Sequence, residues 1–251
     1  MEKETRSIAL IAVGLLLVAG AVGGWWYYSR RPAPAAPAAR AVTGTEAPIT
    51  RTAPAPELPP LDHMDAMVRS LLGALSTRPD LVKWLATDNL LNQTALALDL
   101  ASQGKSPAKD FKLLAPVGSF AVAQRSGRRT LDPASYRRYN GLVTTLTSLD
   151  ASAVGRAYKT VKPRLDEAYR KNGHPNGDID SALNSALDLL LDTPLIDDPV
   201  ALKEGEGARW AFADTDIESL QPIQKQLLRM GPDNVDKILV WLRAFQSALK
   251  P

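Results

Sequence analysis

The sequence predicts a mainly α (α+β) architecture: an N-terminal transmembrane helix, a Pro/Ala-rich linker, and a multi-helix domain with one or two short β-hairpins. Three observations predict it. Residues 8–28 form an apolar run without a charge, and residues 29–60 are dominated by proline and alanine. The rest carries apolar stripes at helical spacing, interrupted by two strand-turn-strand patterns. The expected organisation is a short cytoplasmic tail over 1–7, an anchor over 8–28, a disordered linker over 29–60 and a soluble domain over 61–251.

The 21 uncharged residues at 8–28 are long enough, as a helix, to match a hydrocarbon core of about 30 Å. Trp25, Trp26, Tyr27 and Tyr28 close the run as an interfacial aromatic belt, and Arg30 and Arg31 follow at phosphate depth. Bulky rings stand where a signal peptidase needs small residues, so a retained anchor is expected rather than a cleaved signal. Lys3 and Arg6 before the run balance the arginines after it, and the positive-inside rule discriminates weakly. The tether favours a domain on the periplasmic side of a bacterial inner membrane. Residues 32–60 hold 8 prolines and 9 alanines. Proline fixes φ and removes a donor, so this stretch is expected to be a semi-rigid spacer, partly polyproline II.

The domain then reads in order. Leu61, Met64, Val68, Leu71, Leu72 and Leu75 mark a first helix. Pro79 opens a second through Leu81, Trp84 and Leu85. Asp88 is expected to cap a third, with Gly104 as its stop. Residues 120–131, turning at Ser126-Gly127, read as a hairpin. Asp132-Pro133 starts one helix carrying Tyr136, Tyr139, Leu142, Val143, Leu146 and Leu149. Asp150 caps the next, in which Pro163 is expected to kink or split the helix before Gly173 ends it. A turn at His174-Pro175-Asn176-Gly177 precedes a helix beginning at Asp178 or Asp180. Residues 200–212 suggest a second hairpin, which could pair with the first. Leu220, Ile223, Leu227 and Met230 mark one closing helix, Gly231-Pro232 breaks it, and residues 235–249 form the last.

Composition bounds the chemistry. The chain contains no cysteine, which excludes disulfides and thiolate chemistry. Two histidines, His63 and His174, are too few for a typical His-based metal site within one chain. No metal and no cofactor is expected. Net charge is +3, but residues 105–175 carry 14 Lys/Arg against 5 Asp/Glu, while residues 176–220 carry 2 against 11. The plainer reading is mutual neutralisation across the folded surface. The sharper one is a basic face for an anionic partner.

The binding candidates are Arg125, Arg128 and Arg129 around the first hairpin, then Tyr136, Arg137 and Arg138, then His174 and Arg229. Arginine beside tyrosine suits phosphate or an anionic glycan. An extracytoplasmic site argues against nucleic acid. His174 is either a ligand or base oriented by a carboxylate, with Asp178 and Asp180 just beyond, or a plain turn residue. A glycan hydrolase would need two carboxylates, drawn from Asp166, Glu167, Asp178, Asp180, Asp197 and Asp198. No nucleophile, zinc or phosphate-loop motif occurs, so no catalytic residue is assigned.

Several stretches carry a resemblance: LPPLDHMDAMVRSLLGALSTRPDLVKWLATDNLL, SPAKDFKLLAP, LDPASYRRYNGLV, YKTVKPRLDEAYRKNGHPNGDID and QPIQKQLLRMGPDNVDKI. In this order they resemble a bacterial membrane-anchored family catalogued as domain of unknown function 3014. The resemblance implies an envelope protein and assigns no activity. The function expected is a non-enzymatic interaction or scaffold module meeting an envelope protein, with an anionic glycan or lipid as a further partner. The alternative is a glycan binder or hydrolase using paired carboxylates.

Overall fold

The computed structural model describes residues 58–107, 116, 118–125, 127–196, 200–205, 207 and 209–250. The expected anchor and nearly all of the linker lie outside them. Among the described residues, no helix is long and apolar enough to cross a membrane.

A 3-10 turn at Leu61–His63 leads into α1 (Met64–Gly73), and α2 (Pro79–Leu85) and α3 (Leu90–Ser102) follow. The first hairpin is β1 (Val122–Arg125) with β2 (Arg128–Leu131). Helices α4 (Pro133–Arg137), α5 (Asn140–Thr147), α6 (Ala151–Lys171) and α7 (Ile179–Leu191) come next. The second hairpin is β3 (Leu202–Glu204) with β4 (Trp210–Phe212). Helices α8 (Thr215–Ser219), α9 (Pro222–Leu228) and α10 (Pro232–Leu249) close the chain. The fold is mainly helical with two small antiparallel hairpins, as the sequence predicts.

The expected caps form at three helix starts. Asp132 accepts from Ala134 N at 2.7 Å, Asp150 from Ala153 N at 2.6 Å and Asp178 from Asp180 N at 3.3 Å. The fourth does not. Asp65 of α1 reaches across and accepts from Asn89 N at 2.7 Å and Leu90 N at 2.9 Å. Asn89 takes the cap position with φ 57°, and Asp88 turns to Arg69 at 3.2 Å. The cap of α3 is therefore tertiary, which helical spacing cannot reveal.

The helix expected from Pro133 onward is two helices. Tyr136 O accepts from Tyr139 N at 3.1 Å and from Asn234 Nδ2 at 3.2 Å. A tight turn and a distant amide thus occupy the carbonyl that would have continued the α pattern. Pro163 does not split α6, which runs unbroken over 21 residues. Pro163 and Lys159, whose carbonyl loses its partner, are both exposed, so water can replace the missing bond. Leu220 lies outside the closing helices, because α9 starts only at Pro222.

The main core is helical. Its most extensive pairings are α6 with α10 and α3 with α7. Gly155 lets α6 approach α10 closely, since a methyl there would lie 3.0 Å from the Ala248 Cβ. Trp241 of α10 donates its indole N–H to Leu149 O at 2.8 Å. A second, smaller core lies under the hairpins: Leu131, Val200, Leu202, Phe212 and Leu228. The hairpins remain separate two-stranded sheets joined by one antiparallel bridge, Thr130 with Ala201. Ser135 ties α4 to the first hairpin, accepting from Ala121 N at 2.7 Å and donating to Ala121 O at 2.9 Å. Where the linker ends, Arg164 clamps it, donating to Pro59 O at 2.8 Å and Leu58 O at 2.9 Å.

Candidate functional site

The stretch Met230-Gly231-Pro232-Asp233-Asn234 opens α10, with Pro232 at its first position. Gly231 has φ 85° and ψ 157°, a region essentially reserved for glycine. The Tyr136 ring fills the space a side chain would need: a methyl on Gly231 would sit 2.4 Å from Tyr136 Cγ. Asn234 fastens the two segments. Its amide donates to Met230 O at 2.9 Å, Asn140 Oδ1 at 3.0 Å and Tyr136 O at 3.2 Å. The result is a rigid joint between the α4–α5 segment and the start of α10.

A cleft of about 360 Å³ opens on this joint. Its floor holds Tyr136, Val143, Met230 and Gly231, and its rim Arg137, Asp233 and Lys237. All three rim side chains are exposed. Arg137 and Lys237 form no ion pair with any described residue. Two cations against one carboxylate give the mouth a positive balance.

On the neighbouring seam between hairpins and helices stand Arg138, Tyr139, Gln226 and Arg229. Arg138 lies 5.9 Å from the Phe120 ring centroid and 5.7 Å from that of Tyr139. Arg229 lies 5.2 Å from the Phe212 centroid and donates to Trp210 O at 3.3 Å. Burial pushes the Tyr139 phenol up to about 12, and Arg138, Arg229 and Gln226 partly offset that rise.

The remaining arginines of the candidate set are spread over the first hairpin. Arg125 ends β1, in register with Arg128. Arg128 is exposed. Arg129 pairs with Glu204 and stacks 5.1 Å from the Trp210 centroid. That pair, and Lys162 with Asp178 and Asp180, join the basic block to the acidic one, in line with the neutralisation reading.

Three of the proposed carboxylates converge, but on a lysine. Lys162 Nζ lies 2.8 Å from Asp166, 3.2 Å from Asp178 and 3.3 Å from Asp180. Tyr158 donates its hydroxyl to Asp180. Burial would lower the Lys162 pKa, and the hydrogen bonds to Asp166 and Asp178 outweigh it, leaving the ammonium raised. Burial would raise the Asp178 carboxyl, yet Lys162 and the Asp180 amide hold it below its usual value. Glu167 is likewise lowered, by Lys171 and then Arg164. The Asp178 shift suits ion pairs that staple α6 to the start of α7, and the Glu167 shift suits pairs along α6 itself, whereas a general acid needs a raised carboxyl. Asp197 and Asp198 lie outside the described residues.

His174 meets a carboxylate, but not the expected one. Its Nε2 lies 3.0 Å from Asp99 of α3, and its ring stacks on Tyr169 with centroids 4.3 Å apart. Asp178 and Asp180 are engaged by Lys162 instead. Gly177 closes the turn, donating to His174 O at 2.8 Å. Among the described residues, no group of three or more His, Asp or Glu is placed to hold a metal ion.

A family model described as "Protein of unknown function (DUF3014)" matches residues 90–246. The chain belongs to the DUF3014 family. The DUF3014 match spans every residue of the cleft and of the neighbouring seam, while α1 and α2 precede it. No curated protein and no solved structure matches the chain.

Sequence reasoning picked out Tyr136, Arg137, Arg138 and Arg229 but missed Asn140, Gln226 and Lys237. Gln226 left a signal. It lies three residues after Ile223 and beside Leu227, so a polar side chain falls on a buried face. Lys237 left none, because a lysine on an exposed helix face is ordinary.

Proposed function

We propose that this protein is a membrane-anchored envelope protein whose helical domain is a non-enzymatic interaction module. Its tether carries the domain from the inner membrane into the periplasm. One observation carries the reading: the cleft on the Tyr136–Gly231 joint is floored by Tyr136, Val143 and Met230 and rimmed by two cations, Arg137 and Lys237, that no described residue pairs. Such a cleft suits an acidic side chain or chain end of a partner protein. Rim charges of this kind steer encounter and set specificity. The described carboxylates that a glycan hydrolase would use are tied up in ion pairs with Lys162, Arg164 and Lys171, which disfavours the enzymatic alternative.

The test is crosslinking in cells with the anchor intact, followed by purification of the adducts. The double variant Arg137→Glu/Lys237→Glu is expected to lower the yield of a specific protein adduct about tenfold, the scale of one or two disrupted charge contacts. The reading fails if no protein adduct forms while purified domain is retained on cell-wall material. A reporter fused after Pro251 checks the topology: activity of a cytoplasm-only reporter overturns the periplasmic placement.

A further inference from the structure

The cleft on the Tyr136–Gly231 joint offers an unused acceptor as well as cations. Asn234 is only 6% exposed, and its amide N–H groups are taken by Met230 O, Asn140 Oδ1 and Tyr136 O. Its side-chain oxygen, Oδ1, accepts from no described residue. That oxygen is not sealed inside the protein, as the unpaired hydroxyls of Thr130 and Thr193 are. Asn234 lines the cleft, so the oxygen is open to a group that enters there. The Asp233 carboxylate on the rim is a second acceptor and pairs with no described cation. Buried polar groups are almost always paired, so an acceptor held open in a nearly buried side chain calls for a donor.

The cations stand close to this acceptor. Lys237 follows Asn234 by three positions on α10, which makes the two neighbours on the helix surface. Arg137 adjoins Tyr136, whose carbonyl Asn234 holds. A bare anion such as phosphate would satisfy the cations, leave Asn234 Oδ1 without a donor and face Asp233. The last residue of a polypeptide satisfies both demands, because its backbone N–H and its free carboxylate flank one Cα. A cleft of about 360 Å³ is near the small end of ligand pockets, with room for a chain end rather than a helix. We infer that the cleft captures the carboxy-terminal end of a partner polypeptide, with the terminal carboxylate toward Arg137 and Lys237 and the last backbone N–H on Asn234 Oδ1. An apolar last side chain rests on the floor of Tyr136, Val143 and Met230. Capture of a chain end rests on the docking reading of the same cleft and adds which part of the partner enters it.

The experiment is a ligand-observed NMR titration of the full chain in detergent micelles. The probes are acetyl-Ala-Ala-Leu as the free acid, its carboxamide, and an ester analogue in which oxygen replaces the last backbone N–H. The free acid is expected to bind about tenfold tighter than either analogue, the scale of one hydrogen bond to a charged or buried group. Arg137→Gln/Lys237→Gln changes two exposed side chains, so it is expected to keep its Tm and to bind acid and carboxamide alike. Equal binding of the free acid and either analogue, binding of no probe, or an undiminished preference in the double variant would overturn the inference. Tighter binding of a free acid ending in two D-alanines would also overturn it, in favour of a cell-wall peptide. Crosslinking in cells separates its failure from that of the docking reading. A protein adduct at the cleft whose crosslinked segment lies away from the partner's end overturns chain-end capture alone, whereas no adduct overturns both.

Discussion

The side-chain amide of Asn234 donates to the backbone carbonyl of Tyr136 at 3.2 Å, across 98 residues of sequence. The same amide bonds Asn140 Oδ1 and Met230 O. One residue therefore ends α4, orients the start of α5 and anchors the start of α10. All three of its partners are acceptors, which makes the sign of the charge at this position decisive. Asn234→Ala is expected to cost about 2–3 kcal/mol, from lost bonds and unpaired carbonyls. Asn234→Asp should cost more than Asn234→Ala, since a carboxylate would face three oxygens. Urea unfolding of both variants checks the order, and the reverse order would contradict the account.

Gly231 faces a steric rather than a polar demand. Its φ of 85° disfavours any side chain, and the Tyr136 ring occupies the room a methyl would need. Gly231→Ala is expected to cost about 2–4 kcal/mol, backbone strain and overpacking combined. A loss below about 1 kcal/mol would mean that Tyr136 yields freely and that the cleft floor is not rigid.

The cap of α3 offers a second structural test. Asp65 accepts from Asn89 N and Leu90 N, so Asp65→Ala should cost about 1–2 kcal/mol. Asn89 has φ 57°, and Asn89→Gly should be close to neutral while Asn89→Val is clearly destabilising. Thermal unfolding separates the three. An equal loss for Gly and Val would contradict the left-handed cap.

The fold was legible where signals are local. The Asp132, Asp150 and Asp178 caps, both hairpins and the Gly173 stop depend on residues within a few positions of one another. The failures share a different cause. Asp65 caps a helix 25 residues away, Asn234 breaks one 98 residues before it, and Asp99 rather than Asp178 meets His174. Each is a polar bond made possible only by packing. The candidate site divides in the same way. Arginine and tyrosine drew attention by their chemistry, whereas Lys237 became a rim residue only when α10 packed beside α5.

The Lys162 hub and the pairs of Glu167 with Lys171 and Arg164 shape the pH response. Asp178 and Glu167 titrate below their usual values of 3.8 and 4.5 when folded. A depressed carboxyl stabilises above its unfolded pKa and loses that contribution as pH falls through the folded value. Stability should therefore hold from neutral pH to about pH 4 and decline below it. Lys162 is raised above 10.5, so its contribution is present below that value and lost as pH climbs through the folded pKa. Asp178→Asn is expected to flatten the acid limb of a plot of urea midpoint against pH. Lys162→Met, which leaves three aspartates facing one another, should cost about 1–3 kcal/mol at neutral pH. An unchanged acid limb in Asp178→Asn would remove Asp178 from this account.

The central claim is that the cleft on the Tyr136–Gly231 joint docks a protein partner. Its most direct test places a photo-crosslinking amino acid at Arg137, at Lys237 and, as a control, at Val82 of α2, in the anchored chain in living cells. Val82 is 59% exposed and precedes the family match, so accessibility alone would label it as well. The account predicts one protein adduct of the same mass from Arg137 and Lys237, and none of that mass from Val82. An adduct from Val82 with none from the cleft, or no protein adduct while the domain is retained on cell-wall material, would contradict it.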